Sequence, residues 1–217
     1  MKKYIKLIGI ALVCISVYSC QKDKFDYKEG YVGESKITNY ATFTMKGDTY
    51  TSVVKGSTYT DAGAAAKEGS SDLKVTATGT VNTAVVGLYT ISYSATNSDG
   101  FPASVTRYVA VIPTAEVAGV NVAGSYDYAS GGTTATVTKL APGFYRTSNL
   151  YSAATTIPAY VITSDGLSWT IPLQSTAYGR LQGTAKLAGF TSGSTLNYSV
   201  DLLDQGIAGS TRRWLKQ

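Results

Sequence analysis

Histidine is absent from this 217-residue chain, so no imidazole triad and no imidazole metal site can form. Cysteine occurs twice, at Cys14 and Cys20, too few for a thiolate zinc site. Hydrolysis by a pair of carboxylates flanking a scissile bond is the remaining route. In the C-terminal half the acids are Glu116, Asp127, Asp165, Asp201 and Asp204. Asp165-Gly166 reads as a turn, Asp201 and Asp204 flank a strand end, and nothing in the spacing brings Asp127 to Asp201. No phosphate-cradling glycine loop opens a helix. The reading is of a protein that is not an enzyme and takes no cofactor or metal. The chain does offer aromatics interleaved with hydrogen-bonding groups. Tyr145, Arg146, Asn149 and Tyr151 lie in the loop-like stretch PGFYRTSNLYSAATTIPAY, and Tyr178 and Arg180 in AYGR. Flat rings beside planar polar groups suit sugars, and loops on a rigid β scaffold are where ligand contacts gather. The same tyrosines also suit packing at the end of a sandwich.

Such loops need an address and a scaffold. Lys2, Lys3 and Lys6 precede LIGIALVCISV, an apolar run from Leu7 to Val17. A bilayer-spanning helix needs about 20 apolar residues, so the run has the form of a secretory signal instead. VYSC then resembles the lipobox of bacterial lipoproteins. The resemblance implies that residues 1–19 are a signal peptide and that Cys20 carries lipid and anchors the chain to a membrane; an ordinary cleaved signal with Cys20 left free is the alternative. Cys14 would leave with the signal, so no internal disulfide can form, and acylation removes a lone thiol from an oxidising compartment. Gln21, Lys22 and Asp23 are similar to the export signal of surface lipoproteins of the Bacteroidota, which implies an outer-membrane location facing the cell exterior. Residues 20–36 are expected to form a flexible tether. The net charge of +5 owes three units to Lys2, Lys3 and Lys6. No basic block interleaved with aromatics appears, so nucleic acid is not an expected partner.

Only 15% of residues are charged, and Thr, Ser, Gly, Tyr and Val crowd the chain, a β-rich composition. In GLYTISYSATN, Tyr89, Ile91, Tyr93 and Ala95 share one face and Thr90, Ser92 and Ser94 the other, the period of a half-buried strand. NSDG turns the chain, and ASVTRYVAVI returns with Val105, Val109 and Val111 on one face. Gly56, Tyr59, Asp61, Gly63 and Ala64, then Gly87, Tyr89, Tyr93 and Ala95, then Arg107, Val109 and Val111 together resemble the Ig-like domain repeated in bacterial surface proteins. That resemblance implies an Ig-like β-sandwich over residues 37–113 acting as a spacer; Tyr89 and Tyr93 are expected to pack, rings buried and hydroxyls reaching backbone groups.

Pro113 cannot donate a ladder hydrogen bond and ends the strand, so residues 114–117 read as a linker. Residues 118–217 carry seven to nine further short strands. LSWTIPL places Leu167, Trp169, Ile171 and Leu173 on one face, and TLNYSVDLL does the same with Leu196, Tyr198, Val200 and Leu202. The fold class is all-β: an Ig-like β-sandwich followed by a C-terminal antiparallel β-sandwich or flattened barrel. GSYDYASGGTTATVTKLAPGFYRTSNLY and LDQGIAGSTRRWLKQ resemble the C-terminal domain of lipoproteins from gut Bacteroidota. The resemblance implies a surface lipoprotein that accompanies glycan or nutrient uptake machinery, such as an outer-membrane transporter complex; together with the lipobox, the spacer-like domain and the aromatic loops it gives the expectation of a non-catalytic protein that binds a polysaccharide or oligosaccharide, or a related nutrient. A structural or adhesive protein that docks a protein partner is the alternative.

Overall fold

The computed structural model describes residues 28–32, 35–183, 189–192 and 195–217. Cys20 and the segments on either side of it, residues 1–27, lie outside the described residues. The chain divides into two compact units, Met1–Asn39 and Tyr40–Gln217. In the first, β1 (Tyr31–Val32) pairs antiparallel with β2 (Ser35–Lys36), so the end of the expected tether is a short hairpin.

The second unit begins with two facing sheets. One holds β3 (Thr42–Met45), β5 (Ala64–Glu68) and β6 (Ser71–Leu73). The other, in the order β4-β9-β8-β7, holds β4 (Tyr50–Val54), β7 (Thr76–Thr78), β8 (Gly87–Thr96) and β9 (Pro102–Ile112), with β4 and β9 parallel. The period-two pattern of β8 has its physical counterpart: Ile91, Tyr93 and Ala95 are buried. Between the sheets lies Arg107, only 2% exposed. Its guanidinium donates to the Asp61 carboxylate and the Lys46 carbonyl, to the Asp48 carbonyl at 3.0 Å, to the Gly63 carbonyl at 3.2 Å and to the Tyr93 hydroxyl at 2.8 Å. Tyr93 in turn donates to Asp61 at 2.6 Å. A buried cation is tolerated only with such full pairing.

Ten strands follow in one antiparallel sheet. They are β10 (Gly124–Tyr128), β11 (Thr134–Ala141), β12 (Phe144–Thr147), β13 (Ala159–Ile162), β14 (Ser168–Trp169), β15 (Gln174–Thr176), β16 (Gly179–Gly183), β17 (Gly189–Ser192), β18 (Thr195–Leu202) and β19 (Ile207–Lys216). The main path runs β13-β12-β11-β10-β19-β18-β16-β15, while β17 pairs β18 and β14. The sheet curls around a core that includes Tyr126, Tyr145, Trp169, Leu181, Tyr198 and Trp214. Leu196, Tyr198, Val200 and Leu202 share the buried face as their alternation requires. The shared face expected for LSWTIPL holds only for Trp169 and Ile171. Leu167 and Leu173 are 60% and 54% exposed, because the strand stops at Trp169 and Pro172 prevents the extended ladder from continuing.

The sandwich and the curled sheet pack as one body. Ala110 and Ile112, on the outer face of β9, meet Phe144 and Ile162 on the outer face of β12 and β13, flanked by Tyr50, Val54, Leu88, Tyr108 and Tyr160. Gly143 (φ +67°) passes under Ile112, where an added Cβ would come within 3.2 Å of its side chain. The segment read as a linker is tied down. Glu116 accepts from Lys139 Nζ at 2.6 Å, the Gly143 amide at 2.8 Å and the Tyr145 hydroxyl at 2.9 Å.

Burial pushes the Asp61 carboxyl up, but hydrogen bonds from Tyr93 and Arg107 outweigh it and leave it below the ordinary 3.8. Arg107→Ala is expected to destabilise the protein by about 3–5 kcal/mol in denaturant titrations, because it strands this carboxylate. The stabilisation from Asp61 should be complete above its unfolded value of about 3.9 and decline as pH falls through the lower folded value.

Candidate functional site

The interior of the curled sheet is packed. Its void measures about 10 Å³, lined by Tyr126, Trp169, Tyr198 and Trp214 among others, which is room for one water and no small-molecule ligand. A cleft of about 490 Å³ lies instead where the sandwich meets the curled sheet. Leu88, Thr90, Thr106 and Tyr108 line it from β8 and β9; Tyr160, Leu173, Gln174, Ser175 and Arg180 line it from the second module. Such a volume is within the range of about 300–1,000 Å³ common for ligand sites.

Register explains how these residues meet. Thr90 opposes Tyr108, and Tyr108 opposes Tyr50, so all three share the outer face of the four-stranded sheet. Tyr108 and Tyr160 have ring centroids 5.0 Å apart, Tyr50 and Tyr108 stack at 5.4 Å, and Phe144 lies 5.5 Å from Tyr160. Burial and the neighbouring Tyr50 and Tyr108 hydroxyls push the Tyr160 phenol above its ordinary range, so it stays a neutral donor. Tyr160 is held by its backbone. Its N–H donates to Gln174 Oε1 at 2.7 Å, and Gln174 Nε2 donates to the Tyr160 carbonyl at 2.9 Å and to the Pro172 carbonyl at 3.1 Å. One side chain thus supplies a ladder rung between β13 and β15, at the open seam of the sheet.

Arg180 enters from the β15–β16 hairpin, whose turn carries Tyr178, 43% exposed. Asp204 accepts from the Arg180 amide at 2.7 Å, from Nε at 3.1 Å and from Nη2 at 2.7 Å. Those hydrogen bonds hold the Asp204 carboxyl below the usual carboxylate range and raise Arg180. Gly179 (φ +91°) makes the approach feasible, because a Cβ there would sit 2.8 Å from Asp204 Cβ.

Of the six side chains expected to touch a ligand, Arg180 lines the cleft. Arg146 is exposed on β12 opposite Tyr160, on the same face, and Tyr178 lies two residues before Arg180. The other three sit differently. Tyr145 is fully buried, with its hydroxyl spent on Glu116. Asn149 is 2% exposed and stitches the loop after β12: it accepts from the amides of Tyr151 and Ile157 and donates to the Ser152 carbonyl. These two are withdrawn from any ligand, because strand alternation turns Tyr145 inward and the loop closes on Asn149. Tyr151 is half-buried, with the Arg212 guanidinium 3.9 Å over its ring. Tyr108 and Thr106 carry no local motif that marks them as site residues. The available signal was the unbroken apolar run from Tyr108 to Ile112, which marks a strand covered on both faces.

Among the described residues no group of three or more acidic, histidine or cysteine side chains could hold a metal ion. No helix among them is long and apolar enough to cross a membrane.

Residues 43–111 match the family model of the bacterial surface protein, Ig-like domain. The sandwich that supplies Thr90, Thr106 and Tyr108 is the part of the chain that this model matches. Among solved structures, a lipoprotein of Bacteroides thetaiotaomicron aligns at 22% identity over 82% of this chain and 100% of its own, with a TM-score of 0.40. The CBM51-2 module in complex with GlcNAc and INT domains, from Clostridium perfringens ZmpB, aligns at 15% identity over 82% of this chain and 41% of its own, with a TM-score of 0.32. Neither likeness is close enough to transfer a site. No curated protein matches the chain.

Gln174→Ala is expected to leave the Tyr160 N–H and C=O unpaired, at about 1–3 kcal/mol for each group that stays dry. Gln174→Glu should be the more informative variant. Its ionised carboxylate faces two carbonyl oxygens, so its folded pKa rises and stability should fall as pH rises from about 4 to about 7. Denaturant titrations at the two pH values check this.

Proposed function

We propose that this chain is a non-catalytic lipoprotein of the outer-membrane surface, anchored through lipid on Cys20, that binds a segment of glycan in the cleft between its two modules and hands it to an uptake system. The observation that carries the reading is the pair of tyrosine rings, Tyr108 and Tyr160, 5.0 Å apart in a 490 Å³ cleft whose lining otherwise combines the apolar Leu88 and Leu173 with hydroxyl, amide and guanidinium groups. Sugars present apolar C–H faces and a rim of hydroxyls, and this lining offers rings for the first and donors and acceptors for the second. The match of residues 43–111 to the bacterial surface Ig-like domain supports a surface location. The lipobox-like VYSC supports the anchor. A non-catalytic role is supported by the lining itself, which among the described residues contains no carboxylate; glycoside hydrolysis uses two.

Calorimetry and affinity electrophoresis against a polysaccharide panel test the reading. At least one glycan should bind. Tyr108→Ala should weaken it about ten- to a hundredfold, the effect of losing about 1.5–3 kcal/mol of ring burial, and Thr106→Trp should block the cleft outright. If no panel member binds, the chain is better read as docking a protein. The anchor is tested separately: Cys20→Ser should move the protein from the membrane fraction to the soluble one, and retention in the membrane would remove that part of the reading.

A further inference from the structure

Resting on the cleft reading above, we infer that the ligand is an uncharged oligosaccharide, and that the Arg180–Asp204 pair enforces this choice. Arg180 is the one charged side chain among the described residues that line the cleft. Its charge is already answered: Asp204 takes Nε, Nη2 and the main-chain amide of the same residue. The arrangement is locked from below by Gly179, where any side chain would strike Asp204. Nη1 is not used on Asp204, so the guanidinium still presents hydrogen-bond donors while the pair as a whole is neutral. The rest of the lining is neutral, and the Gln174 amide is committed to the Tyr160 backbone. A uronate or sulfate entering this cleft would lose hydration with no unpaired cation among the lining residues to replace it. A neutral sugar gives up only hydroxyl hydration, which Thr90, Thr106, Ser175 and Nη1 can replace. Arg146 shares a face with Tyr160 but is not among the residues that line the cleft.

The experiment is calorimetry at physiological salt with neutral gluco-, manno- and galacto-oligosaccharides and an oligogalacturonide of matched length, on the wild type, Asp204→Asn and Arg180→Gln. Discrimination here is a difference of two affinities. In the wild type a neutral probe should bind at least about tenfold more tightly than the uronate. Asp204→Asn keeps the acceptor for the Arg180 amide but frees the guanidinium charge, so the gap should narrow by about tenfold through a gain in uronate affinity. Arg180→Gln, which leaves Asp204 unopposed, should widen it. Uronate binding equal to or tighter than neutral binding in the wild type overturns this inference and leaves the glycan reading standing. Neutral selectivity that Asp204→Asn does not alter overturns the role of the pair. Binding of neither probe class overturns the glycan reading itself.

Discussion

The last five residues of β9 are covered from both sides, and the architecture of Tyr40–Gln217 follows from that. Arg107, Val109 and Val111 point into the Ig-like sandwich; Tyr108, Ala110 and Ile112 point out of it, into the second module. A strand at an ordinary antiparallel sandwich face would alternate with solvent. Here exposing the outer face would uncover Ala110 and Ile112, which are 0% and 3% exposed, together with the rings of Tyr50, Tyr108 and Phe144. Each Å² of that apolar surface returned to water would cost about 25 cal/mol. The Ig-like domain is therefore one wall of a composite structure, beyond any role as a spacer.

The polar groups follow the same logic. Each strongly engaged carboxylate holds a particular structural feature in place. Asp61 neutralises the buried Arg107, Glu116 ties the connecting segment to β11 and β12, Asp165 accepts from the amides of Leu167 and Ser168 to form its turn, and Asp204 fixes the β15–β16 hairpin. Depressed carboxyl pKa values at Asp61, Glu116, Asp165 and Asp204 are what structural anions show when hydrogen bonds favour the charged form. A general acid needs the opposite shift.

Much of the fold was legible because period-two alternation records which face is wet. It placed Ile91, Tyr93 and Ala95 inside, and later Leu196, Tyr198, Val200 and Leu202. It failed where a local rule intervened, as at Leu173 beyond Pro172. It also could not supply what arises only between modules. Tyr145 and Arg146 are neighbours in sequence and look equally available, yet one turns into the core and the other faces out, and loop-like composition does not record that parity. Tyr160 was inside the stretch singled out for its aromatics, but its partners Tyr108 and Tyr50 lie some 50 and 110 residues away in the chain. Arg180 was legible as an exposed cation on a glycine turn; its neutralisation by Asp204 was not, because the contact depends on the β16–β18 register, with Leu181 opposite Leu202.

The cleft is a consequence of unequal side-chain size along one interface. Where Ile112, Phe144, Tyr50 and Ile162 meet, large groups fill the space between the sheets. Farther along the same outer faces stand Thr90 and Thr106 on one side and Ser175 on the other. Short side chains cannot bridge a gap set by stacked rings, so the gap stays open and Tyr108 and Tyr160 form its boundary. Gln174 then matters twice, since it completes the seam of the curled sheet and holds the backbone of the ring that faces the opening. A site built this way is as rigid as the interface that makes it, and a rigid site loses little conformational entropy when a ligand enters. Weak polar contacts of the kind hydroxyls offer can add up to useful affinity only under that condition.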